Sequence, residues 1–382
     1  MQNPLLRLRE LGQSIWLDYI RRDLFEGELT RLIEEDGLAG MTSNPTIFDK
    51  AIGDTDLYDD PIRDCDPSMP PDAIFERLAV ADVREAADHF RPLYDATQGR
   101  DGFVSIEVRP ALAYDTEGTI EEVRRLWKAC DRPNAMVKIP GTREGLPAIR
   151  QCLAEGMNIN ITLLFSVRRY LEVVDAWFAA FEERVARGDP VDRLASVASF
   201  FVSRVDKKVD GRLEKRLETA EDERERERIR ALLGQIGIAN AKIVFERFEE
   251  RFRSARFAVL EGAGARLQRP LWASTSTKNP DYPDVYYVHH LIAPDSVNTL
   301  PPDTLDAFRD HGEAEVRIHA GLDEAHRMLE DLGDLGIDYD EVTRELEEEG
   351  VQNFERSYDD LLATIREEHA RVAAVGRSGQ RG

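Results

Sequence analysis

The sequence predicts an α/β protein: a (β/α)8 TIM-type barrel with extra helices, namely a long helical insertion after strand six and a helical C-terminal segment. Three observations predict it. Short apolar runs recur eight times along the 382 residues, most of them followed by a helical pattern; strands alternating with helices imply βαβ units and a parallel sheet, and eight units close a barrel. Polar residues gather near the C-terminal ends of seven of those runs, where the active site of such a barrel lies. No glycine fingerprint for a dinucleotide or a nucleoside triphosphate follows any run, which argues against an open nucleotide-binding sheet.

The runs, in order, are SIWLDY (14–19), AGMTS (39–43), FVSIEV (103–108), AMVKIP (135–140), NINITLLF (158–165), LASVASFFV (194–202), RPLWAST (269–275) and DVYYVHHLI (284–292). Between them, Thr119 and Glu122 in TIEEV read as a capping box opening the helix after strand three. The longest insertion, roughly residues 205 to 260, follows strand six, and its EDERERERIR (221–230) combines dense opposite charges with helix formers, a solvated helix rather than a coil. Residues 303 to 372 read as helical again, with LEEEGVQNFERSYDDLLATI an amphipathic stretch suited to the barrel exterior. A single domain is expected over residues 1–375, with GRSGQRG (376–382) a disordered tail.

Composition narrows the function. The chain is 42% hydrophobic, ample for a large core, and its net charge of -23 argues against a nucleic-acid binder, which would carry a basic stripe. The same charge means that an anionic substrate needs a locally cationic pocket. Three cysteines, Cys65, Cys130 and Cys152, are odd in number and lack metal spacing, so neither a disulfide nor a zinc framework is expected. No apolar run approaches a membrane span. The expectation is a cytoplasmic protein without a membrane or nucleic-acid partner; a homo-oligomer stays open.

The polar residues on the strands carry the chemistry. They are Asp18 on strand one, Thr42 and Asn44 on strand two, Ser105 and Glu107 on strand three, Lys138 on strand four, and Asn160 and Thr162 on strand five. Strand six offers Ser199 and Arg204, and strand seven Ser274, Ser276 and Lys278. Within each strand they are mostly two residues apart and so share one face. Lys138 stands out among only eight lysines because Val137 and Ile139 flank it in an apolar strand. Desolvation favours a neutral amine, and a neutral amine can attack a carbonyl where a guanidinium cannot. Glu107 and Asp18 are the acid/base candidates, since imine formation and carbon–carbon cleavage both need proton transfers. Blander readings stand beside these: a buried ion pair of Lys138 with either carboxylate, and an Asn-Pro turn at Asn44. His289 and His290, adjacent on an expected strand, would face opposite ways and suit packing better than a metal. DTDLYDD (54–60) lacks the spacing and glycine of a calcium loop.

Seven stretches, QSIWLDYIRRDL, GMTSNPTIF, FVSIEV, MVKIPGT, NINITLLFS, ASFFVSRVD and RPLWASTSTKNPDYPDVYYV, lie within residues 13 to 300 and resemble transaldolase in its longer bacterial form; EGVQNFERSYDDLL is similar too. The resemblance implies a Schiff-base barrel without metal or organic cofactor. It would move a dihydroxyacetone unit from sedoheptulose 7-phosphate to glyceraldehyde 3-phosphate, giving erythrose 4-phosphate and fructose 6-phosphate. It implies that Lys138 forms the imine, that Glu107 works through a water held by Thr162, and that Asp18 takes the hydroxyl proton as the bond breaks. Asn44 and Asn160 would bind the dihydroxyacetone unit, with Thr42, Ser105 and Ser199 nearby and Phe201 screening the pocket from water. Arg204, Ser274 and Lys278 would hold the phosphate. Two positions depart from the family pattern: Arg109, which shares the parity of Glu107 and would either add a cation at the pocket mouth or pair with a surface carboxylate, and Ser276, which stands where a glycine is usual. The alternatives are a related aldolase releasing free dihydroxyacetone, and a catalytically silent barrel that binds partners through its acidic helices.

Overall fold

The computed structural model describes residues 3–379. Its eight strands are β1 (Gln13–Asp18), β2 (Gly40–Thr42), β3 (Phe103–Glu107), β4 (Ala135–Pro140), β5 (Ile159–Leu164), β6 (Ser196–Phe201), β7 (Arg269–Ala273) and β8 (Ser296–Leu300). Each is hydrogen-bonded in parallel to its sequence neighbours, and β8 pairs β1 from Gln13↔Ser296 to Leu17↔Leu300, so the sheet is a closed barrel. Every residue of β4, β5, β6, β7 and β8 is buried, as expected for strands covered by helices outside and packed side chains inside.

The first seven strands coincide with runs read from sequence, β1 starting one residue earlier, at Gln13. The eighth does not. DVYYVHHLI forms a short helix, Tyr286–His290, and β8 is the following SVNTL. The reason is visible in the spacing: the buried Val285, Val288 and Ile292 recur every three to four residues, the helical period. SVNTL escaped because it is more than half polar, yet each of its polar side chains makes a hydrogen bond inside the barrel. Ser296 Oγ donates to Ala293 O (2.7 Å), Asn298 Oδ1 accepts from Thr275 Oγ1 (2.8 Å), and Thr299 Oγ1 lies 2.8 Å from Thr42 Oγ1. His289 and His290 therefore lie on a helix.

The insertion after β6 is helical throughout: Ser203–Thr219, Glu223–Leu232, Ile236–Phe252 and Ala255–Gly262. The charge run is the second of these, with Asp222 capping Glu225 N at 2.8 Å. The capping box after β3 is corrected. That helix starts at Thr116 with Asp115 accepting from Gly118 N (3.0 Å), and Thr119 and Glu122 are buried inside it. Glu122 instead accepts from Arg109, through both its backbone N (2.7 Å) and its Nε (2.6 Å). Arg109 thus pairs with a carboxylate, a buried one, and is not part of the pocket mouth.

After β8 come helices Pro302–His311, Leu322–Asp334 and the long Tyr339–Gly379. The last does more than cover the exterior. It packs against the helices that follow β2 and β6 and against β5, crossing the C-terminal end of the barrel. The tail expected to be disordered begins inside this helix, and residues 380–382 lie outside the described residues. Among the described residues no helix is long and apolar enough to cross a membrane.

Candidate active site

Strand register builds the site. Glu107 is the partner of Lys138 across β3 and β4, Lys138 of Asn160 across β4 and β5, and Asp18 of Thr42 across β1 and β2. One belt at the C-terminal end of the barrel therefore carries an amine and two carboxyls. Lys138 Nζ donates to Glu107 Oε2 (3.2 Å) and to Ser43 O (3.1 Å), and both members of the ion pair are buried. Thr42 Oγ1 donates to Asp18 Oδ1 (2.7 Å). With that proton committed, Thr299 is the donor in its contact with Thr42, so a hydroxyl chain orients Asp18.

Burial pushes both carboxyls above their ordinary range, and the charge of Lys138 is the largest opposing influence on each. A second carboxylate nearby adds to the rise at Glu107. These are groups poised to exchange protons rather than to stay ionised. Glu107 Oε1 and Thr162 Oγ1 are buried and have no hydrogen-bond partner within the protein.

Below the belt runs a fixed polar chain. Asn160 Nδ2 donates to Ser105 Oγ (3.1 Å), and Ser199 Oγ donates to Asn160 Oδ1 (2.6 Å). The Asn160 amide is thereby locked in one orientation. Asn44 has two roles at once: its Oδ1 accepts from Ile47 N (3.0 Å) as cap of the helix Pro45–Gly53, and its side chain faces the cavity. The Asn-Pro turn and the ligand-facing side chain are both present.

The far wall is cationic. Arg204 sits one residue into the helix after β6, its guanidinium 4.9 Å from the Phe201 ring centroid. Lys278 follows β7, and the two cations are close enough that Arg204, second to burial, holds the Lys278 amine below its usual range. Ser274 takes the left-handed conformation (φ 56°), which turns the chain after β7 so that its Oγ lies 2.9 Å from Ser203 Oγ.

These walls enclose a cavity of about 240 Å³. It brings together Asp18, Thr42, Asn44, Lys138, Thr162, Ser199, Phe201, Arg204, Ser274 and Lys278, with Ser276 beside them. Ser105, Glu107 and Asn160 are not among the lining residues; Glu107 reaches the cavity through Lys138. Thr299, Pro301 and Phe354 also line it and were not anticipated. The first two lie on and after the strand that was misplaced. Phe354 had a signal, the QNFERSY stretch, but its approach to Lys138, 216 residues earlier in the sequence, left no periodic trace. A slightly larger cavity, about 290 Å³, lies at the opposite end of the barrel and holds none of these residues. Two of its three arginines are already paired, Arg100 with Asp295 and Arg269 with Asp101.

A buried amine paired with an acid, beside two cations at the mouth of a (β/α)8 barrel, is the setting in which the family comparison becomes decisive. Residues 15–365 match the model of the transaldolase/fructose-6-phosphate aldolase family. The chain belongs to that family. Among curated relatives, a transaldolase of Acidothermus cellulolyticus is 49% identical over 375 residues, 96% of each chain. A transaldolase of Frankia alni is 46% identical over the whole of both chains, and Transaldolase 2 of a Nostoc strain is 44% identical over 95% of this chain and 97% of its own. Relatives of this closeness support a transferase of the transaldolase type over an aldolase that releases its product to water.

Proposed function

We propose that this transaldolase carries a dihydroxyacetone unit from sedoheptulose 7-phosphate to glyceraldehyde 3-phosphate, in the non-oxidative pentose phosphate interconversions, through an imine on Lys138. The supporting observation is the Lys138–Glu107 pair, 3.2 Å apart and buried, with its lysine lining a cavity that also holds Arg204 and Lys278, neither of which forms a salt bridge among the described residues. The amine attacks the ketose carbonyl carbon, and loss of water gives the iminium. Glu107, through a water shared with the Thr162 hydroxyl, supplies and removes the protons of that step; the free Oε1 and Oγ1 suit this relay. Asp18, oriented by Thr42, takes the C4 hydroxyl proton as the C3–C4 bond breaks. The aldose leaves, the three-carbon enamine stays on Lys138, and a second aldose reverses the sequence. Arg204, Ser274 and Lys278 hold the phosphate, while Asn44, Ser199 and, behind it, Asn160 hold the hydroxyls of the retained unit.

Three buried cysteines without disulfide partners fit a cytoplasmic setting. The test is borohydride reduction with fructose 6-phosphate followed by peptide mass spectrometry. A three-carbon adduct on Lys138 is expected. An adduct on a different lysine only, or none from folded protein, removes the assignment.

A further inference from the structure

We propose that Phe354, on the last helix, shields the three-carbon intermediate on Lys138 from water, and so sets the balance between transfer to an aldose and release of free dihydroxyacetone. This rests on Lys138 as the imine-forming residue. The Phe354 ring lines the cavity with its centroid 5.9 Å from Lys138 Nζ, and its side chain is only 8% exposed. Phe201 is the other aromatic residue that lines the cavity.

The helix that carries it is tied down on three sides of the barrel mouth. Towards the helix after β6, Lys208 Nζ meets Glu345 (2.8 Å) and Arg212 meets Glu341 (3.2 Å) and Glu345 (2.7 Å). Towards the helix after β5, Arg169 Nε meets Glu347 (3.2 Å). Towards the helix after β2, Thr46 Oγ1 bonds Ser357 Oγ (3.0 Å) and Thr364 Oγ1 bonds Asp49 (2.6 Å). A helix anchored on both sides of residue 354 holds the ring over the site as a fixed cover. An aromatic face at this distance also tolerates a cationic iminium without bringing water, as a polar side chain would.

The reaction being suppressed is defined. After the first aldose leaves, the enamine takes a proton at C3 to become the iminium. Water adds its oxygen to C2 and returns a proton, giving a carbinolamine. The C–N bond then breaks with a proton passing to nitrogen, which releases dihydroxyacetone and restores the amine. Hydrolysis at C2 also frees the product of transfer; the step peculiar to release is protonation at C3, where transfer instead adds the aldehyde, so access of water to C3 as proton donor governs the branch.

The test is to measure, with fructose 6-phosphate as donor, dihydroxyacetone release without an acceptor and transfer with one, in Phe354→Ala, Phe354→Gln and Phe354→Leu. The release-to-transfer ratio should rise by about tenfold in the Ala and Gln variants, a change on the scale of one modest interaction in the barrier. Leu, which restores apolar cover, should return it towards wild type. If Phe354→Ala fails to fold, the Gln variant carries the same reading. A folded Ala or Gln variant with an unchanged ratio, or with both rates falling together, overturns the proposal and leaves the ring as helix packing. Borohydride trapping on the wild type separates this from the reading beneath it: a Lys138 adduct with an unmoved ratio refutes only the shield.

Discussion

At the residue scale the site turns on one tension: a lysine and two carboxyls are buried together. A buried pair is costly unless geometry compensates, and a structural pair of this kind contributes little to stability. Its retention at the functional end of a barrel makes sense if the proton between the groups is meant to move. Glu107→Gln keeps shape and a hydrogen-bonding oxygen but removes the exchangeable proton, so kcat should fall roughly 10²–10⁴-fold with donor binding largely retained. Wild-type turnover would reassign that role to Asp18. Lys138→Arg should abolish turnover in a folded protein, since the charge persists and the nucleophile does not. The pH profile carries a sign as well. Burial raises Glu107 and Asp18 above their ordinary 4.5 and 3.8. As bases they are lost by protonation when pH falls through those raised values, so the acid limb of kcat/KM should lie above the range of an exposed carboxylate. An acid limb near about 4, where unperturbed carboxyls titrate, would show that neither raised group governs the rate.

At the element scale, what the sequence made legible depended on period. Runs such as AMVKIP and NINITLL are apolar enough to read as buried strands, and the polar residues two apart within them mark the inner face. SVNTL is a strand held by internal hydrogen bonds rather than by apolar mass, so hydropathy passed over it in favour of DVYYVHHLI. Most of the site was therefore readable, strand by strand, as Lys138, Glu107, Asp18 and Asn44 were; Thr299 and Pro301 fell with the misplaced strand, and Phe354 depended on how a remote helix docks. The helix after β6 shows how such an element is fixed. Asp206, two residues after Arg204, is buried in its first turn and accepts from Gly237 N at the start of the helix Ile236–Phe252. Burial, with Asp210 adding to it, pushes Asp206 up to about 7. An acid whose folded value exceeds its unfolded one contributes stability at low pH that is lost as pH rises from the unfolded value towards 7. Asp206→Asn mimics the protonated form and can still accept from Gly237. Its Tm relative to wild type should thus climb as pH rises from 3.8 to about 7 and level off above that. A difference flat across that range would mean that Asp206 stays ionised throughout.

At the scale of the whole molecule, the problem is to hold a dianionic phosphate on a chain of net charge -23. Most arginines are occupied: along the helices they pair with neighbouring acids, as Arg212 does with Glu341 and Glu345 and Arg256 with Glu182. Among the described residues Arg204 and Lys278 have no such ion pair, and both face the cavity. Neither is thus held in a salt bridge with a surface acid, and the half-buried position of Arg204 limits screening of its charge by salt, while Lys278 is exposed. Arginine grips a phosphate through two hydrogen bonds, while lysine acts as a point charge. Neither lies at the bond being broken. Arg204→Ala and Lys278→Ala should therefore raise KM for phosphorylated donors far more than they lower kcat, the signature of binding energy shared by ground and transition states. Arg204, which can offer a phosphate two hydrogen bonds, should have the larger effect. A non-phosphorylated ketose is the control: its already poor rate should barely change in either variant, because there is no phosphate to lose. If both variants lost activity equally on phosphorylated and unphosphorylated donors, the two cations would be serving the architecture of the pocket wall, with Arg204 held over Phe201 as a packing element, and the phosphate would have to be caught elsewhere.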